Sequence, residues 1–447
     1  MAGEYDYFTK NRGVIGMGVV LTIIAVVIIL MVCSVLLDWK LKIGKITTNP
    51  YWTFPLFGAI LCLLFGFVNL DDVGNIFIGS SNMNPLKILI IFLSFVGLSV
   101  FLDEVGLFKY VAQVVAEKCK RSQKELFFGF SLAVAFLTIF TSNDILILTF
   151  TPFLCHFAKH AKINVLPYVV AEFVMANVWS MFFVIGNPTN IYLSSIFSIS
   201  FTEYAAKMLL PTIAAGIVAI ILVYLLFRKK LEQPISIADE KRVKLNRPLL
   251  LIGMIGLMMA IILTAVGSYL NLSVWQMPLI CLVLTYFLAF AGIVFQEKSL
   301  SIFGRVFKKL PYAIVPFLLS MAVLVLALEK TGFIELVAKT LNGGNVFSVG
   351  GLAFLSGNLL NNIPMTIFFG DVLLNMVNPG VLVYAVIAAS NICAFLTPVG
   401  ALAGIMFMRI LKHNKVDFPF KKFIFYGAII SVPTLIVALV TLNALSF

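Results

Sequence analysis

The sequence predicts an all-α polytopic membrane protein built as two inverted repeats. Each repeat holds about five spans plus one re-entrant hairpin, and some helices are discontinuous. Three observations predict this fold. The 447 residues are 61% hydrophobic and only 12% charged, whereas soluble domains carry about a quarter charged residues. The apolar residues also form long runs, 13–37, 51–70, 208–227, 248–295, 310–328, 372–408 and 423–447, that contain no Asp, Glu, Lys or Arg. A helix needs roughly 20 such residues to cross a bilayer. Finally, the basic residues gather between the runs. Because the runs are continuous rather than alternating, helices are favoured over a barrel, the other structure that satisfies its backbone in lipid.

The first run, 13–37, is about twice the length of a signal-peptide core and has no small-residue cleavage pattern after it, so it reads as a retained helix. The net charge of +12 would suggest nucleic acid in a soluble chain. Here it reads as a set of topology determinants, and no nucleic-acid partner is expected. The six cysteines, Cys33, Cys62, Cys119, Cys155, Cys281 and Cys393, show no CxxC pattern and mostly sit in apolar runs. There they behave as small hydrophobes, with neither disulfides nor a metal site implied.

Of the 32 Lys and Arg, all but Lys10, Arg12, Lys87, Lys207, Lys330 and Lys339 fall in groups that one cytoplasmic face can hold, as the positive-inside rule expects. This placement has a consequence for two segments. Residues 125–157 then begin and end in the cytoplasm, and 145–155 is too short to cross alone. They are expected to form a re-entrant hairpin with Ser142, Asn143 and Asp144 at its tip. Residues 348–377 begin and end outside and form a second hairpin around Asn358, Asn361 and Asn362. Both termini are expected outside.

The halves can be laid over one another. "LDEVGLF" (102–108) resembles "LEKTGFI" (328–334), and "ANVWSMFFVIG" (176–186) resembles "SNICAFLTPVG" (390–400). The expected organisation is a first repeat at 1–230, with hairpin 125–157 and broken helix 163–202. A cytoplasmic linker at 231–247 follows, and then a second repeat at 248–447, with hairpin 348–377 and broken helix 381–409. An odd number of crossings per repeat inverts the second against the first, a recurring transporter design.

Four polar clusters interrupt the apolar segments: Thr141–Asp144; Gly186, Asn187, Pro188, Thr189 and Asn190; Asn358, Asn361, Asn362 and Pro364; and Asn391, Thr397, Pro398 and Gly400. Pro188 and Pro398 break helices. The breaks free carbonyls for a cation, and half-helix N-termini offer N–H groups to an anion. Asn and Thr supply both donors and acceptors. Two plainer roles stay open: Ser142, Asn143 and Asp144 can cap a helix, and the other Asn can hold helices together. Asp144 and Glu172 are the carboxylates placed well inside the membrane, where an ionisable group is a functional candidate by default. Asp371 is expected to be solvated at the outer end of the second hairpin.

"SNDILILTFTP" (142–152), "GNPTNI" (186–191), "GNLLNNIPMT" (357–366) and "TPVGALAGIMFMRIL" (397–411) resemble the arsenite-efflux permease branch of the ion transporter superfamily. That superfamily also holds sodium–proton antiporters and citrate and divalent-anion symporters. The resemblance implies an inverted-repeat fold, often a homodimer, in an inner membrane of bacterial or archaeal type, with substrate and cation sites at the hairpin tips and helix breaks. Carried over, the substrate residues are Ser142, Asn143, Asn187, Thr189, Asn358, Asn361, Asn362, Asn391 and Thr397. The cation residues are Asp144, Asn143, Gly186, Asn190, Gly400 and Glu172. The Ser-Asn-Thr signature of the divalent-anion symporters is missing from both tips, and no cysteine cluster is arranged to bind arsenite.

The expected function is secondary transport of a small anion or metalloid oxyacid, with arsenite or antimonite favoured by the motifs, coupled to H+ or Na+ and needing no cofactor. The alternatives are a Na+/H+ antiporter and a di- or tricarboxylate–cation symporter. ATP-driven pumping would need an ATPase partner subunit, because the chain has no GxxxxGK[ST] loop. No catalytic triad or metal-ligand spacing points to an enzyme.

Overall fold

Backbone polar groups inside a bilayer must be satisfied within the chain, and helices do this locally. The computed structural model is accordingly almost all helix. It describes residues 2–37, 39–43, 46–48, 50–79, 84–119, 121–235, 245–267, 275–295 and 300–445, with side chains for these except 2–14, 35–36, 43 and 46–48. Residues 236–244 of the expected linker lie outside the described residues. Among the described residues, eight helices are long and apolar enough to cross a membrane.

The chain begins with α1 (Ala2–Leu36), followed by the strands β1 (Leu41–Ile43) and β2 (Ile46–Thr48), then α2 (Thr53–Leu64), α3 (Leu70–Ile78), α4 (Pro85–Val105) and α5 (Leu107–Lys118). The first hairpin is α6 (Gln123–Phe140) and α7 (Asn143–His160), and the first broken helix is α8 (Leu166–Trp179) and α9 (Pro188–Ile196). Then come α10 (Phe201–Leu231), α11 (Arg247–Gly267), α12 (Gln276–Phe295), α13 (Ser301–Lys309), α14 (Ile314–Lys330) and α15 (Phe333–Leu341). The second hairpin is α16 (Val346–Leu360) and α17 (Asn362–Leu374). The second broken helix is α18 (Gly380–Ile392) and α19 (Leu402–His413), and α20 (Phe420–Ala444) closes the chain. The antiparallel pair β1–β2, with Lys42 opposite Thr47, is a small addition to the predicted all-α class.

Local chemistry sets the boundaries. Asn84 accepts from the Leu86 and Lys87 amides, and Pro85 opens α4, the preferred pattern at a helix start. Ser122 caps α6 through the Glu125 amide, and Ser200 caps α10 through that of Glu203. Gly106 ends α4 at φ +99°, and Gly332 ends α14 at φ +77°. In both places a left-handed residue turns a long helix into a short one. These are the two glycines of the matched segments "LDEVGLF" and "LEKTGFI".

Two expectations change. Helix α7 runs on through Lys159 and His160 in its last turn, where positive charge suits the helix dipole. At 18 residues each, α6 and α7 are about 27 Å long, so the length argument for a short half-helix at 145–155 no longer holds. In the second hairpin, α16 has 15 residues and α17 has 13, about 22 and 20 Å against a core of about 30 Å. Asp371 is the other change. It is buried, 7% exposed, because α17 packs on α9, α14 and α15 instead of standing in solvent.

The packing repeats when elements of the two halves are exchanged. Helix α4 packs on α11 and α12, and α14 packs on α1 and α2. Helix α8 contacts α6, α7 and α10, and α18 contacts α16, α17 and α20. Across the halves, α7 packs on α19 and α17 on α9, and α10 lies along α20. Large apolar side chains such as Leu251, Met258, Phe287 and Leu288 of α11 and α12 point outward, a face suited to lipid.

A Cβ on Gly332 would meet nothing within 4 Å, so Gly332→Ala isolates the cost of the left-handed backbone. We expect a loss of about 1 kcal/mol in thermal unfolding of the detergent-solubilised protein, with Gly332→Asn less affected.

Candidate functional site

Both broken helices part at a glycine that nothing larger can replace in place. A Cβ on Gly186 would collide with the Ser180 carbonyl, and one on Gly400 with the Cys393 carbonyl. Pro188 restarts α9 with Asn187 as its cap, the Asn187 side chain accepting from the Thr189 amide. Asn361 holds the turn between α16 and α17 at φ +79° and caps α17.

The carbonyls released by these breaks are taken up by asparagines. Asn190 Nδ2 donates to Ser180 O (2.8 Å) and Phe183 O (3.2 Å). Asn361 Nδ2 donates to Val399 O at 2.9 Å. The Asn362 amide donates to Gly400 O at 2.9 Å, and its side chain to Ser390 O at 3.3 Å. In this conformation the freed carbonyls are therefore satisfied within the protein.

The same side chains join the two halves. Asn391 Oδ1 accepts from Ser180 Oγ (2.7 Å) and Asn187 Nδ2 (3.0 Å). Asn391 Nδ2 donates to Asn190 Oδ1 and to Ile387 O, both at 2.8 Å. Ser390 Oγ lies 3.0 Å from Thr189 Oγ1. At the first tip, Asn143 Nδ2 donates to Asn177 Oδ1 at 3.1 Å, and Asn177 in turn donates to Phe173 O, four residues back, at 2.7 Å. Asn177 and Asn391 occupy the same place in the matched segments, and both return a bond to the carbonyl of residue i−4.

Of the predicted residues, Asn143, Asn187, Thr189, Asn190, Asn361, Asn362 and Asn391 thus belong to one buried frame. Asn358 and Thr397 stand apart from its centre, half-buried, with Thr397 Oγ1 donating to Asn358 Oδ1 at 2.9 Å. Glu172 is 1% exposed and accepts from Thr151 Oγ1 at 2.8 Å through Oε2, while Oε1 has no hydrogen-bond partner.

Ser142 and Asp144 lie elsewhere. They line a cavity of about 90 Å³ together with Tyr51, Lys309 and Arg409, walled by Phe92, Val96, Ile314 and Ile405. Ser142 is 3% exposed and its hydroxyl has no hydrogen-bond partner, nor does Asn143 Oδ1 beside it. Buried polar atoms are normally bonded, so this tip offers unused polar capacity to a small guest.

Three cavity residues escaped the reading of the sequence. Arg409 and Lys309 were counted among the topology charges, and Tyr51 merely followed the first basic group. Arg409 does lie within the motif "TPVGALAGIMFMRIL", which was the available signal. Lys309 is anchored, 2.7 Å from Asp103 and 2.5 Å from Glu104, and Arg305 sits 2.6 Å from Glu104.

Asn391→Leu would orphan several buried partners at about 1–3 kcal/mol each. Its thermal unfolding midpoint is expected to fall well below that of Asn358→Leu, whose one side-chain partner is half-buried.

Comparison with known proteins agrees with this architecture. A sequence model of the CitMHS family, described as citrate transporter, matches residues 46–378. The arsenical pump membrane protein of Escherichia coli is 26% identical over 410 residues, covering 88% of this chain and 92% of the relative. That of Yersinia enterocolitica is 24% identical over 402 residues, covering 86% and 91%. The crystal structure of the Alcanivorax borkumensis YdaH transporter superposes with a TM-score of 0.53 at 14% identity, covering 96% of this chain and 98% of that one, a likeness of fold. The chain belongs to the CitMHS citrate transporter family of the ion transporter superfamily, as a membrane-embedded secondary transporter of the citrate transporter and arsenical pump type.

Proposed function

We propose that the chain moves a small anion or metalloid oxyacid, arsenite or antimonite foremost, coupled to H+ or Na+ by alternating access. The observation that carries this is the cavity at the first tip. It places Ser142 and Asp144 in about 90 Å³, room for about three waters at about 30 Å³ each. A three- to five-atom oxyacid fits that space. A tricarboxylate would have to extend beyond it, although the family takes its name from one.

The walls suggest how the site changes access. Phe92 and Val96 come from α4 and Ile314 from α14, while Asp144 comes from α7 and Ile405 and Arg409 from α19. Sliding α7 and α19 as a body against α4 and α14 would open or seal the cavity. The exchange of packing partners between halves supports two inverted repeats with moving hairpins, 125–157 and 348–377, around a frame fixed by Asn391. The basic groups support a cytoplasmic linker at 231–247 and termini outside. Asp144 is the coupling residue, its carboxylate taking one proton or facing one Na+ per cycle. An uncompensated charge at that depth is costly, so once an anion occupies Arg409 the carboxylate travels neutralised.

Asp144→Asn is expected to abolish gradient-driven arsenite flux in proteoliposomes while leaving the unfolding midpoint within about 0.5 kcal/mol of the parent. Full retention of driven flux would remove Asp144 from coupling. Citrate in about tenfold excess should leave arsenite flux unchanged, by the volume argument above, whereas antimonite should compete. Equal competition by citrate would place transport in some larger site.

A further inference from the structure

A second and larger cavity, about 550 Å³, opens at the end of α19 and along the loop to α20. Its lining includes Pro398, Ile405, Arg409, Lys412, Lys415 and Asp417. Lys412 and Lys415 are exposed, and Asp417 is drawn 3.8 Å from Lys422, itself outside the lining. The vestibule is therefore basic. It shares just two lining residues with the cavity at Asp144: Ile405 and Arg409. These stand one turn apart on α19, and residues i and i+4 share a helix face. Together they line both spaces and stand between the wider basic vestibule and the narrower tip cavity.

We propose that Arg409 is the inner gate and the oxyanion-reading residue of this transporter, admitting small oxyanions that retain a hydroxyl from the vestibule to the Asp144 cavity. The proposal rests on the function proposed above and narrows it to a charged substrate. A guanidinium is always protonated and presents a planar fork of donors that matches an oxyanion bidentately. Behind it, the unpartnered Ser142 hydroxyl can donate to a second substrate oxygen, and the Asp144 carboxylate can accept from the hydroxyl the substrate keeps. Lys412 and Lys415 raise the local concentration of anions at the mouth, as a cleft of net positive charge does. No covalent step is involved: the substrate exchanges hydration for these partners.

Two measurements test the gate and the reading separately. The first uses Ser142→Cys in a background with the six native cysteines replaced, reconstituted in liposomes. Anionic (sulfonatoethyl) and cationic (trimethylammonioethyl) methanethiosulfonates are added at the face bearing Lys412. With Arg409 present, labelling is expected to be slow and faster for the anionic reagent. Arg409→Ala should speed labelling by about tenfold or more and erase the anion preference. An unchanged rate would overturn the gate, whatever the substrate is. Arg409→Gln serves equally should the alanine variant not give a monodisperse protein.

The second is arsenite flux by Arg409→Lys, which keeps the charge and loses the fork, measured on the alkaline side, where arsenous acid, neutral near pH 7, is largely its hydroxyl-bearing anion. KM is expected to rise about tenfold or more with maximal flux little changed. Unchanged KM in both the Lys and Gln variants would overturn the reading role. Absence of arsenite and antimonite flux in the parent protein would instead overturn the proposed function, and the labelling result would still judge the gate.

Discussion

Everything in this fold depends on how a chain that breaks its helices inside a bilayer satisfies the backbone it exposes. Water is not available there, and each unmet carbonyl or amide costs several kcal/mol. The solution is a set of asparagines. Asn190 answers Ser180 and Phe183 on one side, and Asn361 and Asn362 answer Val399, Gly400 and Ser390 on the other. Asn391 then ties the two breaks to each other. Asparagine suits this work because one short side chain both donates and accepts and remains neutral in a medium that penalises charge.

This accounting separates frame from site. A polar group whose capacity is used up by the protein has little left for a passing ligand. The central asparagines are in that position, with Asn391 bonded through both ends of its amide. Among the groups with capacity to spare, Ser142 Oγ and Asn143 Oδ1 sit at the first tip, where Ser142 shares a cavity with the charged residues Asp144 and Arg409. The fold thus keeps a hydrogen-bonded neutral centre and places Asp144 and Arg409 where α7 and α19 meet α4 and α14.

Much of this was legible in the sequence. The apolar runs, the two breaks at Gly186–Pro188 and Pro398–Gly400, and both hairpin turns follow from local rules of length, proline and glycine, and the structure puts turns where those residues stand. Less local properties were hidden. The extent of α7 was misjudged because Lys159 and His160 read as loop charges, when a helix C-terminus welcomes them. Asp371 looked solvated because its burial depends on α9, α14 and α15, which the sequence does not place around it. Arg409 was hidden by its company: as one of five basic residues before the last apolar run, 423–447, it looked like a topology signal, and only the packing of α19 against α7 turns it toward Asp144's cavity.

Under the proposed function, charge balance in the tip cavity would tie the movement of substrate to that of a cation. Lys309 adds no net charge there, since Asp103, Glu104, Lys309 and Arg305 form a group of two positive and two negative residues. What remains is one carboxylate, Asp144, and one guanidinium, Arg409. Empty, the cavity is neutral. An oxyanion bound at Arg409 leaves Asp144 as an excess negative charge in a low-dielectric space, where like charges repel far more strongly than in water. A proton on Asp144, or a Na+ beside it, removes that excess. Sealing and moving the cavity is then least costly when it is empty or when it holds both species, and costly when it holds one alone. Coupling of this kind needs no dedicated relay between distant sites. It follows from two opposite charges confined to a volume of about 90 Å³, where the few waters that fit screen far less than bulk water.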